Sequence, residues 1–223
     1  RKGTDEPGGL VKLTWGDYDL SRVDAYYGTK IGQNWGVFVG GFYRQSNGMR
    51  DMGFKAEKGG QIRGTLNYDD GRNRVSLDVK HIDDKVPFHL PVPLTYDGNG
   101  NIVGVPGFNP TKDTLAGDET RNVLIKNVGA PYRFDNTEGS HTKLTQISFE
   151  ADLGLSDTVR LQSRSRYKDA DILRNAVFPT GNVVELGAFL ASLNGRLAAI
   201  PGAATLQARY ATDGTPLTAG TNG

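Results

Sequence analysis

The sequence predicts an all-β fold, a piece of a transmembrane antiparallel up-and-down β-barrel with about seven strands and long extracellular loops. Three observations predict it. Seven stretches alternate apolar with polar residues, the connections between them alternate short with long, and aromatic residues gather at both ends of the apolar face. Neighbouring side chains on a strand point to opposite faces. From Val75 to Lys80, therefore, Val75, Leu77 and Val79 share one face while Ser76, Asp78 and Lys80 share the other. From Val159 to Lys168 the second face carries Arg160, Gln162, Arg164, Arg166 and Lys168 in register. Strands with lipid on one side and a wet lumen on the other carry this pattern.

The first strand is expected at about 9–15 and the second at about 20–27, with Gly16-Asp17-Tyr18-Asp19 turning between them. Ile31-Gly32-Gln33-Asn34 turns into the third, at about 35–44, which a polar loop over 45–59 follows. The fourth strand, about 60–68, meets the fifth, about 73–82, through Asp69-Asp70-Gly71-Arg72. Asp-Gly accepts positive φ and marks a tight hairpin. A long connection covers 83–140. The sixth strand, about 142–153, turns through Gly154-Leu155-Ser156-Asp157 into the seventh, about 158–167. Residues 168–223 read as a last long loop holding one helix at about 183–200. There Leu186, Phe189, Leu190, Leu193, Leu197 and Ile200 recur at helical spacing, and Pro201-Gly202 ends the run.

If the chain enters from the periplasmic side, the turns after strands two, four and six are periplasmic, and all three are short. The connections after strands one, three, five and seven are then external, and all but the first are long, as in bacterial barrels. On the lipid face, Trp15, Tyr43 and Tyr167 fall near the external ends of their strands, and Tyr27, Trp35 and Tyr68 near the periplasmic ends. Amphipathic rings prefer the headgroup level, so two such rows are expected of a spanning wall. Between them lie Val23, Ala25, Val37, Val39, Ile62, Leu66, Ile147, Phe149 and Ala151.

Composition sets outer limits. A net charge of +1 over 223 residues implies no polyanionic partner, so no nucleic acid is expected. Hydrophobic residues make up 37%, and no run approaches the ~18 apolar residues of a spanning helix. That excludes a helical membrane protein and leaves a β-barrel open, because half of every barrel strand faces water. With no cysteine there are neither disulfides nor thiolate-held metals. The chain opens on Arg1 and closes on residues 215–223 that read as the middle of a loop, so it is expected to be part of a longer protein.

Several stretches resemble a known family. Gly40-Gly41-Phe42-Tyr43-Arg44, Gly53-Phe54 and Lys58-Gly59-Gly60-Gln61-Ile62-Arg63 are similar to the early barrel of TonB-dependent outer-membrane receptors. So are the run from Phe88 to Leu94 and His141-Thr142-Lys143-Leu144-Thr145, while Arg1-Lys2-Gly3-Thr4 resembles the exit from such a receptor's plug domain. The resemblance implies a 22-stranded barrel filled by an N-terminal plug, a domain absent from this sequence. It also implies active import across the bacterial outer membrane of a scarce ligand such as a siderophore, cobalamin, a saccharide or an aromatic compound. The implied partners are that ligand, outer-membrane lipid, and the TonB-ExbB-ExbD complex acting through the plug.

Little in the sequence points to other chemistry. His81, Asp83, Asp84 and His89 have metal-like composition, but their spacing implies no four-ligand site, and no metal is expected. No nucleophile elbow, phosphate loop or ordered triad occurs, so neither an enzyme nor a cofactor is expected. The basic row Arg160, Arg164, Arg166 and Lys168 would line the lumen. It would either guide an anionic ligand or bridge to carboxylates such as Glu150 and Asp152. Phe88 and His89, in the proline-rich start of the long loop, are candidate ligand contacts. Two other readings fit the pattern: a passive porin or adhesin barrel without a plug, and a soluble secreted carbohydrate-binding β-sandwich.

Overall fold

The computed structural model describes residues 6–50, 52–89, 92–125, 129–178, 183–209 and 213–217. Arg1-Lys2-Gly3-Thr4, as well as Leu90 and Pro91, lie outside the described residues. Seven long strands form one antiparallel sheet: β1 (Gly8–Gly16), β2 (Leu20–Ile31), β3 (Trp35–Ser46), β4 (Glu57–Asp69), β5 (Arg74–Val86), β10 (Ser140–Gly154) and β11 (Arg160–Arg174). The order is sequential, β1-β2-β3-β4-β5-β10-β11, and each strand pairs with the one before it. Between β5 and β10 lie two small hairpins, β6 (Leu94–Tyr96) with β7 (Ile102–Gly104) and β8 (Val123–Ile125) with β9 (Tyr132–Phe134). One helix, α1 (Leu186–Leu197), follows β11.

All seven expected strands are present, several of them longer than expected. β2 runs on to Ile31, β5 to Val86 and β11 to Arg174. The cause lies in the sequence signal. Beyond Tyr167, Lys168 on one face and Asp169 and Asp171 on the other put charge on both faces, so alternation stops while backbone pairing with β10 continues. The long connection is not structureless either. Asp97 accepts hydrogen bonds from the backbone N–H of Asn99 and Asn101, and Gly100 takes φ +82°, closing the β6–β7 hairpin. The helix is shorter than expected. The Glu185 carboxylate accepts from the N–H groups of Gly187 and Ala188, fixing the start as an N-cap does. The last turn closes at Ala198, before Pro201-Gly202.

The short turns are built as their residues require. In the β4–β5 turn the Asp70 carboxylate accepts from the backbone of Arg72 and Asn73 and from the Asn73 side chain, with Gly71 at φ +88°. These bonds favour the charged carboxylate and hold its pKa down to about 2. The β1–β2 turn places Tyr18 and Asp19 at positive φ, which non-glycine residues adopt only at a cost. Tertiary contacts offset that cost. The Tyr18 carbonyl accepts from the Asn47 N–H at 2.8 Å and from the Ser46 hydroxyl at 3.3 Å, and Asp19 pairs with Lys55.

The two faces of the sheet are inverted relative to a water-soluble sheet. Register places Val23, Ala25, Val37, Val39, Ile62, Leu66, Ile147, Phe149 and Ala151 on one face, together with all six aromatics singled out above. This apolar face is the exposed one: Val39 is 47% exposed and Ile62 57%. The polar face is the crowded one, with Thr65 only 5% exposed. The buried apolar cluster is instead in the loops beyond the sheet, where Met52, Ala56 and Ala116 pack with Phe54.

Candidate functional site

The apolar face carries the most regular geometry in the molecule. The strand ends next to the long loops are aligned in register: Gly16 opposes Leu20, Ser46 opposes Glu57, and Ser140 opposes both Val86 and Arg174. Against this straight edge the aromatics step down. Trp15 stands one residue from the end of β1 at Gly16, Tyr43 three from the end of β3 at Ser46, and Tyr167 seven from the end of β11 at Arg174. Those are the first, third and seventh strands of the sheet. The row therefore drops one residue per strand. With ~3.3 Å per residue along a strand and ~4.8 Å between strands, the strands lean about 35° from the perpendicular to a line through the three rings.

Charge obeys the same slanted line. Lys58, Asp83, Lys85, Lys143, Asp169 and Asp171 all lie on the apolar face on its long-loop side. Between that line and the short turns this face of the seven strands holds no Lys, Arg, Asp or Glu. Toward the short turns Trp35 and Tyr68 are register partners with ring centroids 5.1 Å apart. Tyr27 sits nearer the middle of the band, because β2 continues past it to Ile31.

The polar face is a wall of matched charges over most of its width. Arg22 donates twice to Asp24, at 2.7 and 2.6 Å, and its guanidinium lies 4.2 Å above the Phe42 ring. Arg44 donates to Asp84 at 3.0 Å and reaches Glu57 at 3.7 Å. Asp78 accepts from Arg63 at 2.7 Å and from the Thr65 hydroxyl at 2.8 Å. Tyr26 stacks on Phe38 at 6.0 Å over Gly40, where a Cβ would meet the Tyr26 Cβ at 2.8 Å.

The basic row on β11 divides in two. Arg160 pairs with Asp152, as a structural role requires. Arg164, Arg166 and Lys168 are exposed and make no hydrogen bond or ion pair with a described residue. They stand opposite Glu150, Ser148 and Gln146. Arg164 also borders a polar concavity of about 480 Å³ near the short turns, with Asn67, Ser76, Glu150 and Gln162.

The two loop candidates are engaged with the protein itself. The Phe88 ring lies 5.3 Å from that of Phe178. His89 is half-buried beside Gly48, and its Nδ1 meets the Thr114 hydroxyl at 3.4 Å. Burial, then the nearby Arg50, push its pKa below the ordinary histidine value. The possible metal cluster is not assembled. His81 and Asp83 share a face, Asp84 points to the other and His89 belongs to the loops. Among the described residues no three His, Asp or Glu side chains are placed to hold an ion.

Sequence reading missed the loop cluster and the polar-face ion pairs. The former has no periodicity, being spread over 52–56 and Ala116. The latter include Arg63–Asp78 and Arg44–Asp84, 15 and 40 positions apart, visible only once register is known. No family model, curated protein or solved structure matches this chain.

Proposed function

We propose that this chain is part of the wall of an outer-membrane β-barrel and that the whole protein is a TonB-dependent importer of a scarce ligand. One observation carries the membrane part: an uncovered apolar band, free of charge and edged by aromatic rings, whose strands lean about 35° from the normal to the band. Strands of spanning barrels tilt by ~35–45°, and their outward band is flanked by aromatic girdles. A soluble sandwich would cover this face with a second sheet. Here the large apolar side chains on it stand exposed.

The import part rests on the resemblance of the early strands to TonB-dependent receptors. In that reading the polar face looks into the lumen, its ion pairs stiffen the wall, and Arg164, Arg166 and Lys168 attract an anionic ligand. The loops beyond β3, β5 and β11 form the outer vestibule. TonB, energised by ExbB and ExbD, acts on a plug to open the path.

The test is uptake by cells expressing the full-length protein. The probes are a labelled ferric chelate, cobalamin, an oligosaccharide and an aromatic acid, each with and without collapse of the proton gradient. Active import predicts accumulation of at least one probe, abolished by collapse. Accumulation insensitive to collapse would make the protein a passive pore. Arg164→Gln with Arg166→Gln should lower uptake of an anionic probe while leaving a neutral one unchanged.

A further inference from the structure

The apolar face is interrupted at one place that straddles its boundary with the charged region. Gly60 on β4 lies between Tyr43 and Asp83 in register, with Lys58 and Ile62 as its neighbours along the strand. Having no side chain, it leaves a depression of about 510 Å³, bordered also by Lys85, His81 and His141. The floor has to be glycine, because a Cβ there would meet the Phe42 carbonyl oxygen at 2.0 Å. One wall is Tyr43 and Ile62. The other side is polar and sits just beyond the line set by Trp15, Tyr43 and Tyr167.

The charges around this depression are unequally committed. Asp83 accepts from His141 Nε2 at 2.7 Å, and Glu138 meets His141 Nδ1 at 2.8 Å and Lys85 Nζ at 3.4 Å. His81 Nδ1 meets the Thr145 hydroxyl at 3.0 Å. Lys143 stands opposite both Asp83 and Asp171, and Asp169 lies farther off on β11. The two nearest carboxylates are thus taken up by His141 and Lys85, while Lys58 is exposed and forms no ion pair with a described residue.

We propose that this depression holds the phosphate-bearing headgroup of an anionic membrane lipid. Lys58, with Lys85 beside it, would contact the phosphate, and an acyl chain would run down over Ile62 beside Tyr43. The proposal rests on the membrane reading above and adds a lipid site to it. The volume lies within the ~300–1,000 Å³ range of small-molecule sites. An amphipathic anion is the ligand that matches a cation on one wall and an aromatic and aliphatic wall on the other.

The experiment puts the protein into vesicles of phosphatidylcholine alone and into vesicles with added phosphatidylglycerol, then counts retained lipids by native mass spectrometry. The expected result is preferential retention of phosphatidylglycerol, reduced about fivefold by Lys58→Gln, since a lysine near a membrane surface contributes roughly that factor. Lys80→Gln, on the opposite face, should leave retention unchanged. Equal retention of the two lipids, or a preference that survives Lys58→Gln, overturns the site. So does loss of bound phosphatidylglycerol to equimolar inorganic phosphate, which would mark a site for soluble anions. Insertion into pure phosphatidylcholine tests the membrane reading separately. Insertion without lipid preference removes only the headgroup site, whereas failure to insert into either vesicle removes both.

Discussion

The seven-stranded sheet and the loops at its long-loop edge treat apolar residues in opposite ways. In the loops, Met52 is 1% exposed and packs with Ala56, Ala116 and Phe54 in a small interior like that of any water-soluble domain. In the sheet, Val39, Ile62 and Phe149 stand exposed while polar Thr65 and Ser46 are buried. Burying apolar surface is the main favourable term in folding. The sheet leaves its larger apolar face open, and in the proposed reading lipid covers that slanted, charge-free band. The loops need none, since water closes their cluster unaided. The difference teaches that, in the proposed reading, one chain is folded by two solvents.

Mutations that discriminate between the two solvents test this contrast. The largest effect is expected from Val39→Arg, midway between Tyr43 and Trp35 on the apolar face. A lipid-facing arginine at that depth costs about 2–4 kcal/mol. Urea titration in vesicles should show that loss, while Gln146→Glu on the polar face, between Lys80 and Lys168, should cost nothing. A harmless Val39→Arg would mean that water covers the apolar face. Met52→Ala should cost about 2 kcal/mol, toward the low end for a buried methionine because so small a cluster can relax. Its effect should stay in the loops: hydrogen exchange should rise over 47–56 and 110–118 but not within β3 or β4.

Smaller effects sharpen the picture. Asp78→Asn removes the acceptor shared by Arg63 and Thr65 and should cost about 1 kcal/mol, seen as earlier thermal unfolding of the sheet. Acid should separate the regions without any mutation. The pKa of His89 is lowered in the folded loops, so its contribution is present above the ordinary value of 6.5 and is lost as pH falls through the lowered one. Asp70 is lowered as well, to about 2; its contribution is present above the usual carboxylate range and is lost only as pH falls through about 2. Mild acid should therefore speed exchange in the loop cluster first and leave the β4–β5 turn protected. His89→Gln should remove the first transition and keep the second.

Much of the sheet was legible in the sequence because period-two alternation is a local signal. It located all seven strands, and the register then put all fifteen residues assigned to one face on that face. What escaped was nonlocal or aperiodic. Alternation lapses at Gly28-Thr29-Lys30 in β2 and at the charges from Lys168 to Asp171 in β11, and backbone pairing carries both strands past those points. The β6–β7 hairpin was in fact written locally, as Asp97-Gly98-Asn99-Gly100 between Leu94-Thr95-Tyr96 and Ile102-Val103, a turn signal overlooked inside a long loop. The depression over Gly60 and the slant of the aromatic row needed the register of six strand pairs. Of the candidate site, the division of the β11 cations into one paired and three open was beyond sequence alone, because Asp152 and Glu150 are both acids on the same face.

The most direct measurement uses the chain's two tryptophans, Trp15 and Trp35, which lie on the apolar face toward opposite edges of the band. The protein is inserted into vesicles whose lipids carry bromine either high or low on the acyl chain, and tryptophan fluorescence is compared, with single variants separating the two residues. A spanning wall predicts that both tryptophans are quenched, and more strongly by bromine near the headgroup than by bromine at the bilayer centre. Fluorescence unaffected by brominated lipid, with the protein remaining in the aqueous phase, would contradict it.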